Sequence, residues 1–211
     1  MEKNTSFDAQ KESNPADEEL LLRAQSGDDS AFEQLITRHK RSIYSVIYHM
    51  TSNQHDAFDL LQETFLRAYK ALPKFRRDAK FSTWIYRIAI NLTINFLHQS
   101  RRKSPKLSLD ELDMDAAELL QLQELAVGAH TYDLEQRQLR LKELQVILNQ
   151  ALQSLSEKHR VVVVLHDIQG KTHAEIAKIL RVPEGTVKTR LFHAHRLLRK
   201  KLSRYIGSGN F

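Results

Sequence analysis

The sequence predicts an all-α protein: two small helical domains joined by a linker, the C-terminal one containing a helix-turn-helix. Three observations carry this. Only 6 Gly and 4 Pro interrupt 211 residues, and apolar residues recur at helical spacing through most of the chain. Composition changes abruptly in the middle, because residues 67–106 hold 11 basic residues and one acid, whereas 107–135 hold 8 acids and no Lys or Arg. These shifts divide the chain into a polar tail (1–16), a helical domain (17–103), an acidic linker (104–135) and a second helical domain (136–206).

Along the first domain, Ala31, Phe32, Leu35, Ile36, Ile43 and Ile47 trace one helix face. Leu61, Phe65, Ala68 and Leu72 trace a second, and Trp84, Ile88, Leu92 and Phe96 a third at strict fours. Such stripes are core faces. The second helix is expected to stop before Pro73, which disfavours helical geometry at Leu72 and opens the loop Pro73–Ser82. The linker carries one weakly amphipathic stretch, Leu119 to Leu125. The second domain begins near Glu135, with Leu139, Val146, Leu148, Leu152 and Leu155 on its apolar side. Val161–Leu165 is rich in valine, yet a solitary strand among helices has no partner, so it reads as helix.

Composition also excludes. No Cys is present, which removes disulfides, a thiol nucleophile and Cys-ligated zinc or iron–sulfur sites. The polar, acidic N-terminus is unlike a secretory signal, and the longest aliphatic run, Val161–Leu165, is far short of a membrane span. A cytoplasmic location is expected. The formal net charge of +6 conceals blocks of +10 (67–106), −8 (107–135) and +8 (171–204). Two basic blocks suggest two polyanion-binding surfaces, since clustered Lys and Arg gain from releasing phosphate counterions; solvated helix faces are the plainer alternative.

Three motifs coincide with these blocks. Lys171 to Leu191 has a helix-turn-helix layout, with Ile176, Ala177 and Leu180 packing the first helix, Val182 plugging the turn, Pro183 opening the next helix, and Val187 and Leu191 facing inward. The outward face is then Thr186, Lys188, Thr189, Phe192, His193 and Arg196, side chains that suit a major groove. Arg181 stands where many such turns have Gly. Asp56 to Tyr69 forms a helix whose outward Asp59, Gln62, Glu63 and Leu66 fit a basic partner helix or plain solvent. Phe75 to Asn91 interleaves basic, aromatic and amide side chains, which fits capture of unstacked bases beside a positive groove; Trp84, lying in an apolar stripe, reads as core.

The order of the D-x-x-Q-E-x-F helix, the F-S-T-W-I-Y-R-I-A-I-N segment, a basic R-R-K end, a variable linker and G-T-V-K-T-R resembles the extracytoplasmic-function (group 4) sigma factors of bacterial RNA polymerase. The resemblance implies that residues 17–103 form a region 2 domain, in which Asp56, Asp59, Gln62, Glu63, Leu66 and Arg67 grip the polymerase clamp. It implies that Phe75, Arg76, Lys80, Phe81, Ser82, Thr83, Arg87, Asn91 and Asn95 take the single-stranded −10 element, Asn91 reading the flipped base. It implies a region 4 over 136–206 that binds duplex −35 DNA through His166, Thr186, Lys188, Thr189, Arg190, Phe192, His193 and Arg196. His166 and His193 stand where related factors often have Arg. Core RNA polymerase, promoter DNA and an anti-sigma factor are the implied partners, with no cofactor, metal or catalytic residue. Two other readings compete. A helix-turn-helix regulator that is not a polymerase subunit leaves 56–91 unexplained, and a metal nuclease using Asp56, Asp59 and Glu63 lacks convergent ligands and a phosphate-cradling loop.

Overall fold

A computed structural model describes residues 16–76, 78–103 and 144–206. The rest of the polar tail, the linker with its Leu119 to Leu125 stretch, and the start of the second block, including Glu135 and Leu139, lie outside them.

Four helices form the first half. In α1 (Asp17–Gln25) three acids occupy the first turn, where the helix dipole favours them, and Leu20, Leu21 and Ala24 are buried. Its successor α2 (Asp29–Thr51) starts at Asp28, whose carboxylate accepts from the Ala31 amide at 3.1 Å. Asn53 caps α3 (Gln54–Ala71) by accepting from the Asp56 amide. Pro73 ends α3 as expected, but Leu72 keeps right-handed dihedrals (φ −54°, ψ −44°), because the chain tightens into the 3-10 turn Leu72–Lys74 instead of extending.

The loop ends earlier than expected, and α4 spans Phe81–Lys103. Its buried row is Phe81, Ile85, Ala89 and Thr93, one position round from the expected Trp84, Ile88, Leu92 and Phe96, of which Leu92 alone is fully buried. Both rows repeat at fours and only Thr93 is polar, its hydroxyl donating to the Ala89 carbonyl, so periodicity could not choose between them. The first faces α2 and α3; Trp84 and Ile88 face the second half of the molecule.

That half comprises α5 (144–153), α6 (Glu157–Val163), a π turn (Val164–Ile168), α7 (His173–Leu180) and α8 (Glu184–Ile206). Val161 to Leu165 are all buried in helical and π geometry, which explains a purely aliphatic run without a strand. In α5 the expectation needs correcting: Leu152 is buried with Leu155 just beyond, but Val146 and Leu148 are exposed, so the apolar side is split between core and surface.

The halves pack on each other, which the sequence did not suggest. Arg160 is 1% exposed, and its guanidinium donates to the carbonyls of Leu152, Gln153, Leu155 and, across the divide, Met50. Burial pulls its pKa down to about 10, leaving it a cation at neutral pH. Among the described residues its acceptors are carbonyls and not carboxylates. Its compensation comes from the negative ends of α2 and α5, whose last carbonyls lack intrahelical partners. Gln153 adds bonds to the His49 and Met50 carbonyls and to Ser52 Oγ.

Candidate nucleic-acid interface

The residues expected to make contacts fall on three separate faces. On α3, Asp59, Gln62, Leu66 and Arg67 are exposed, while Asp56 and Glu63 are half-buried. Glu63 accepts from Arg67 at 2.6 Å, so this pair presents a hydrogen-bonded unit instead of two free charges. Burial, reinforced by Asp59, raises the Asp56 carboxyl above its usual range. Reading the sequence missed two members of the face: Phe58 and Tyr69 are 54% and 47% exposed. With Leu66 at 47% they make an apolar strip among the acids, and the spacing of eight residues from Phe58 to Leu66 and three more to Tyr69 was the signal that could have found it.

The second face belongs to the loop and α4. Phe75 stacks on Trp84 with ring centroids 4.5 Å apart, and Gln25 ties the loop down by donating to the Leu72 and Phe75 carbonyls. Arg76 and Lys80 are exposed and Ser82 half-buried, but Phe81 and Thr83 are 3% and 9% exposed. These two, expected as surface contacts, sit instead in the first turn of α4 facing the core, Phe81 against His39 and Trp84; the helix begins earlier than the motif implied. Asp17 anchors this corner by accepting from His39 at 2.7 Å and Arg38 at 3.0 Å. Burial pushes its carboxyl up, but those two partners outweigh it and the net shift is downward. Further along, Asn91 and Asn95 are exposed and Arg87 half-buried. Trp84, Arg87, Ile88 and Asn91 line a cavity of about 220 Å³ whose opposite wall is Ile179, Leu180 and Arg181 of α7 and its turn.

The third face is the helix-turn-helix. Thr172 and Glu175 form a reciprocal capping box at the start of α7. Ile176 and Ile179 are its buried residues, while Ala177 and Leu180 are only partly covered. Arg181 adopts the left-handed region (φ 54°, ψ 47°) and its amide closes on the Ala177 carbonyl, so a non-glycine residue holds the conformation that many such turns give to Gly. On α8, Lys188, Thr189, Phe192, His193 and Arg196 are exposed, Phe192 at 66%. Thr186 and Arg190 are half-buried. Lys188 pairs with Glu184 at 2.9 Å, and this holds the Glu184 carboxyl below its usual range. His166 lies in the π turn bonded to Asp167 at 2.7 Å and stacked on His173, while Asp167 also binds His195 at 2.7 Å. A carboxylate therefore already occupies the histidine expected to meet phosphate. His193 faces His159, its ring centroid 6.4 Å away.

Among the described residues no group of three or more His, Asp or Glu is arranged to hold a metal, and no helix is long and apolar enough to cross a membrane.

Comparison with known proteins agrees with this arrangement. Residues 35–103 match the family model Sigma-70 region 2, and residues 145–198 match Sigma-70, region 4. The chain is 37% identical over 182 residues to the ECF RNA polymerase sigma factor SigW of Bacillus subtilis, covering 86% of this chain and 94% of that protein. Its fold is similar to CnrH in complex with the cytosolic domain of CnrY (TM-score 0.62, 24% identity, 93% of this chain and 100% of that one). It is also similar to the sigma factor RpoE of Bartonella quintana in complex with the anti-sigma factor NepR (TM-score 0.60, 19% identity, 82% and 96%).

Proposed function

The chain belongs to the extracytoplasmic-function sigma factors of the sigma-70 family, and we propose from this premise that its three faces divide the work of transcription initiation. It is a promoter-specificity factor of RNA polymerase; the reading as a regulator outside the polymerase fails, because the region 2 match accounts for the half that reading left over. In our assignment 17–103 and 136–206 are the two working domains and the acidic segment 104–135 tethers them.

The observation that carries the assignment is the separation of faces by chemistry. The α3 face is acidic with an apolar strip of Phe58, Leu66 and Tyr69, suited to a basic helical clamp on the core enzyme. The α4 face offers Arg76, Lys80, Arg87, Asn91 and Asn95, cations for phosphates and amides for base edges, beside the Phe75–Trp84 stack. The α8 face offers Lys188, Thr189, Phe192 and Arg196 to a major groove. His166 contributes through the Asp167 pair, which orients it and limits its charge donation. None of these groups performs bond chemistry, so the protein acts without catalysis, and it works in the cytoplasm beside the chromosome. An anti-sigma factor, the partner that the Bartonella neighbour's description names for that protein, is the regulator we assign.

Reconstitution tests this. The protein mixed with sigma-free core polymerase and a genomic promoter library should co-elute with the core on a sizing column and yield transcripts with defined starts. Transcripts no different from core alone would overturn the reading. In the same assay Asn91→Ala should alter −10 preference, and an unchanged preference would remove Asn91 from base reading.

A further inference from the structure

Two imidazoles of the helix-turn-helix region share one carboxylate. After the five buried residues Val161 to Leu165 the chain widens into the π turn, where the Gln169 amide closes on the Val164 carbonyl at 3.0 Å. Such widened turns recur at functional sites. Here the turn brings His166 and Asp167 out together, the first half-buried and the second exposed. Asp167 gives one oxygen to each of two rings: Oδ1 lies 2.7 Å from His166 Nδ1, and Oδ2 lies 2.7 Å from His195 Nε2 on α8. Reading the sequence missed His195. It stands three residues after Phe192 and seven after Lys188, so it continues their exposed row along the −35 face.

The carboxylate dictates where the protons sit. An ionised carboxylate only accepts, so the nitrogen that each ring turns to it carries the hydrogen. The other nitrogen, Nε2 of His166 and Nδ1 of His195, is then a bare lone pair while the ring is neutral. DNA phosphates and the guanine edge are acceptors too. A neutral ring held this way meets them with the wrong polarity, whereas a proton added from solvent to that nitrogen makes it a charged donor and breaks no bond. We propose that Asp167 is a positioning residue for −35 recognition: it fixes His166 and His195 in tautomers that take up protons on holding DNA, so −35 binding strengthens as pH falls. The proposal deepens the functional reading above and rests on it for the meaning of the α8 face. Around the trio stand His173, stacked on His166, and Glu184, which feels His173 and pairs with Lys188. Arg199 follows His195 one turn along α8. On α6, His159 faces His193, and burial, then Lys158, His193 and Arg190, hold its imidazole below its ordinary value. That pair lies outside the Asp167 bridge, so it titrates in parent and variants alike.

The test is affinity by fluorescence anisotropy at constant ionic strength, from about pH 8 to about pH 6. Two duplexes of about 20 base pairs serve as probes, because phosphate contacts do not depend on sequence. One carries the −35 element recovered from the promoter library and is read with holoenzyme; the other has mixed sequence and is read with the full-length protein alone. Parent affinity should rise about tenfold across this range, since each proton taken up adds up to about one to the slope of log affinity against pH. Asp167→Asn keeps the shape, but its amide accepts at one atom and donates at the other, which lets one ring turn its N–H outward uncharged. Its slope should be shallower than the parent's by about one. His166→Arg/His195→Arg supplies permanent donors, so at about pH 8 it should bind as the parent does at about pH 6, with only the slope that His159 and His193 leave. A merely structural role for Asp167 would weaken binding equally at every pH. Far-ultraviolet circular dichroism should match the parent, and if one variant fails to fold the other decides. A parent affinity indifferent to pH, or a folded variant with the parent's slope, would overturn the proposal. Failure of the functional reading looks different: no core complex forms on the sizing column, while the mixed-sequence duplex still separates the slopes of parent and variant.

Discussion

Two arginines show how much rests on single backbone and carbonyl contacts. Arg181 holds a left-handed conformation at the helix-turn-helix corner, which costs an L-residue roughly 1–2 kcal/mol relative to a right-handed one. Arg181→Gly should therefore raise the stability of the second half by up to about 1 kcal/mol, part of the gain being lost to a more flexible unfolded chain. A urea midpoint that falls would show that the Arg181 side chain supplies more than its backbone costs. Arg160 is the opposite case, a buried cation held by four carbonyls. Replacing it with the similarly long Arg160→Met takes one donor from each of the four carbonyls, of which Met50 and Leu152 keep a second one from Gln153 and the Leu155 amide, so a loss of about 3 kcal/mol is expected by denaturant unfolding. Neither role was legible beforehand. Arg181 stood out only as a missing glycine, and Arg160 looked like one more charge, because nothing in a sequence says that two helices will end at the same point.

At the scale of elements, the recognition helix and the end of α2 each make a measurable claim. Lys188 is exposed on α8 and its pairing with Glu184 one turn away is itself solvent-exposed, so it can be released to a phosphate or guanine. Lys188→Ala should weaken binding to −35 duplex and lower the slope of log affinity against log salt by about one; an unaltered slope would place Lys188 off the phosphate backbone. In α2, burial holds the His49 imidazole below its ordinary value of 6.5, and the Ser45 carbonyl only partly offsets this. The unfolded chain then binds a proton that the folded one refuses. This contribution to stability is complete above pH 6.5 and is lost as pH falls beneath it. Unfolding midpoints should drop from neutrality to about pH 5.5, and less so in His49→Gln. Periodicity showed α2, α3, α4 and the helix-turn-helix, but it traced no stripe for α1 (Asp17–Gln25), and facing was not readable. The α4 stripe was misplaced by one position because two adjacent rows both repeat at fours and are largely apolar, and α5 exposes Val146 and Leu148 because the described part of this helix meets both core and surface.

At the scale of the whole molecule, the order of motifs and the alternation of charge blocks gave the two-domain plan and the three faces. What they could not give is the packing of one half on the other, since the residues that make it, Gln153, Glu157, Gln169 and the Lys178 carbonyl, form no motif and some act through backbone. Local charge also behaves differently once folded. Lys171 lies in the second basic block by sequence, yet in space it covers Tyr86 in the first, so two blocks that we assign to separate promoter elements are brought together in the free chain.

The shared end of α2 has one more consequence. Because the carbonyls of His49 and Met50 find donors in Gln153 and Arg160, the helix is finished by atoms that arrive from beyond the linker. Covalent continuity is then dispensable for the pairing. A protease cut placed within 106–135 should leave two pieces that travel as one species on a sizing column at low salt and part as ionic strength rises. If they separate at once, the tether alone holds the halves together. The linker would then set how far they can travel, while the helix end decides whether they leave.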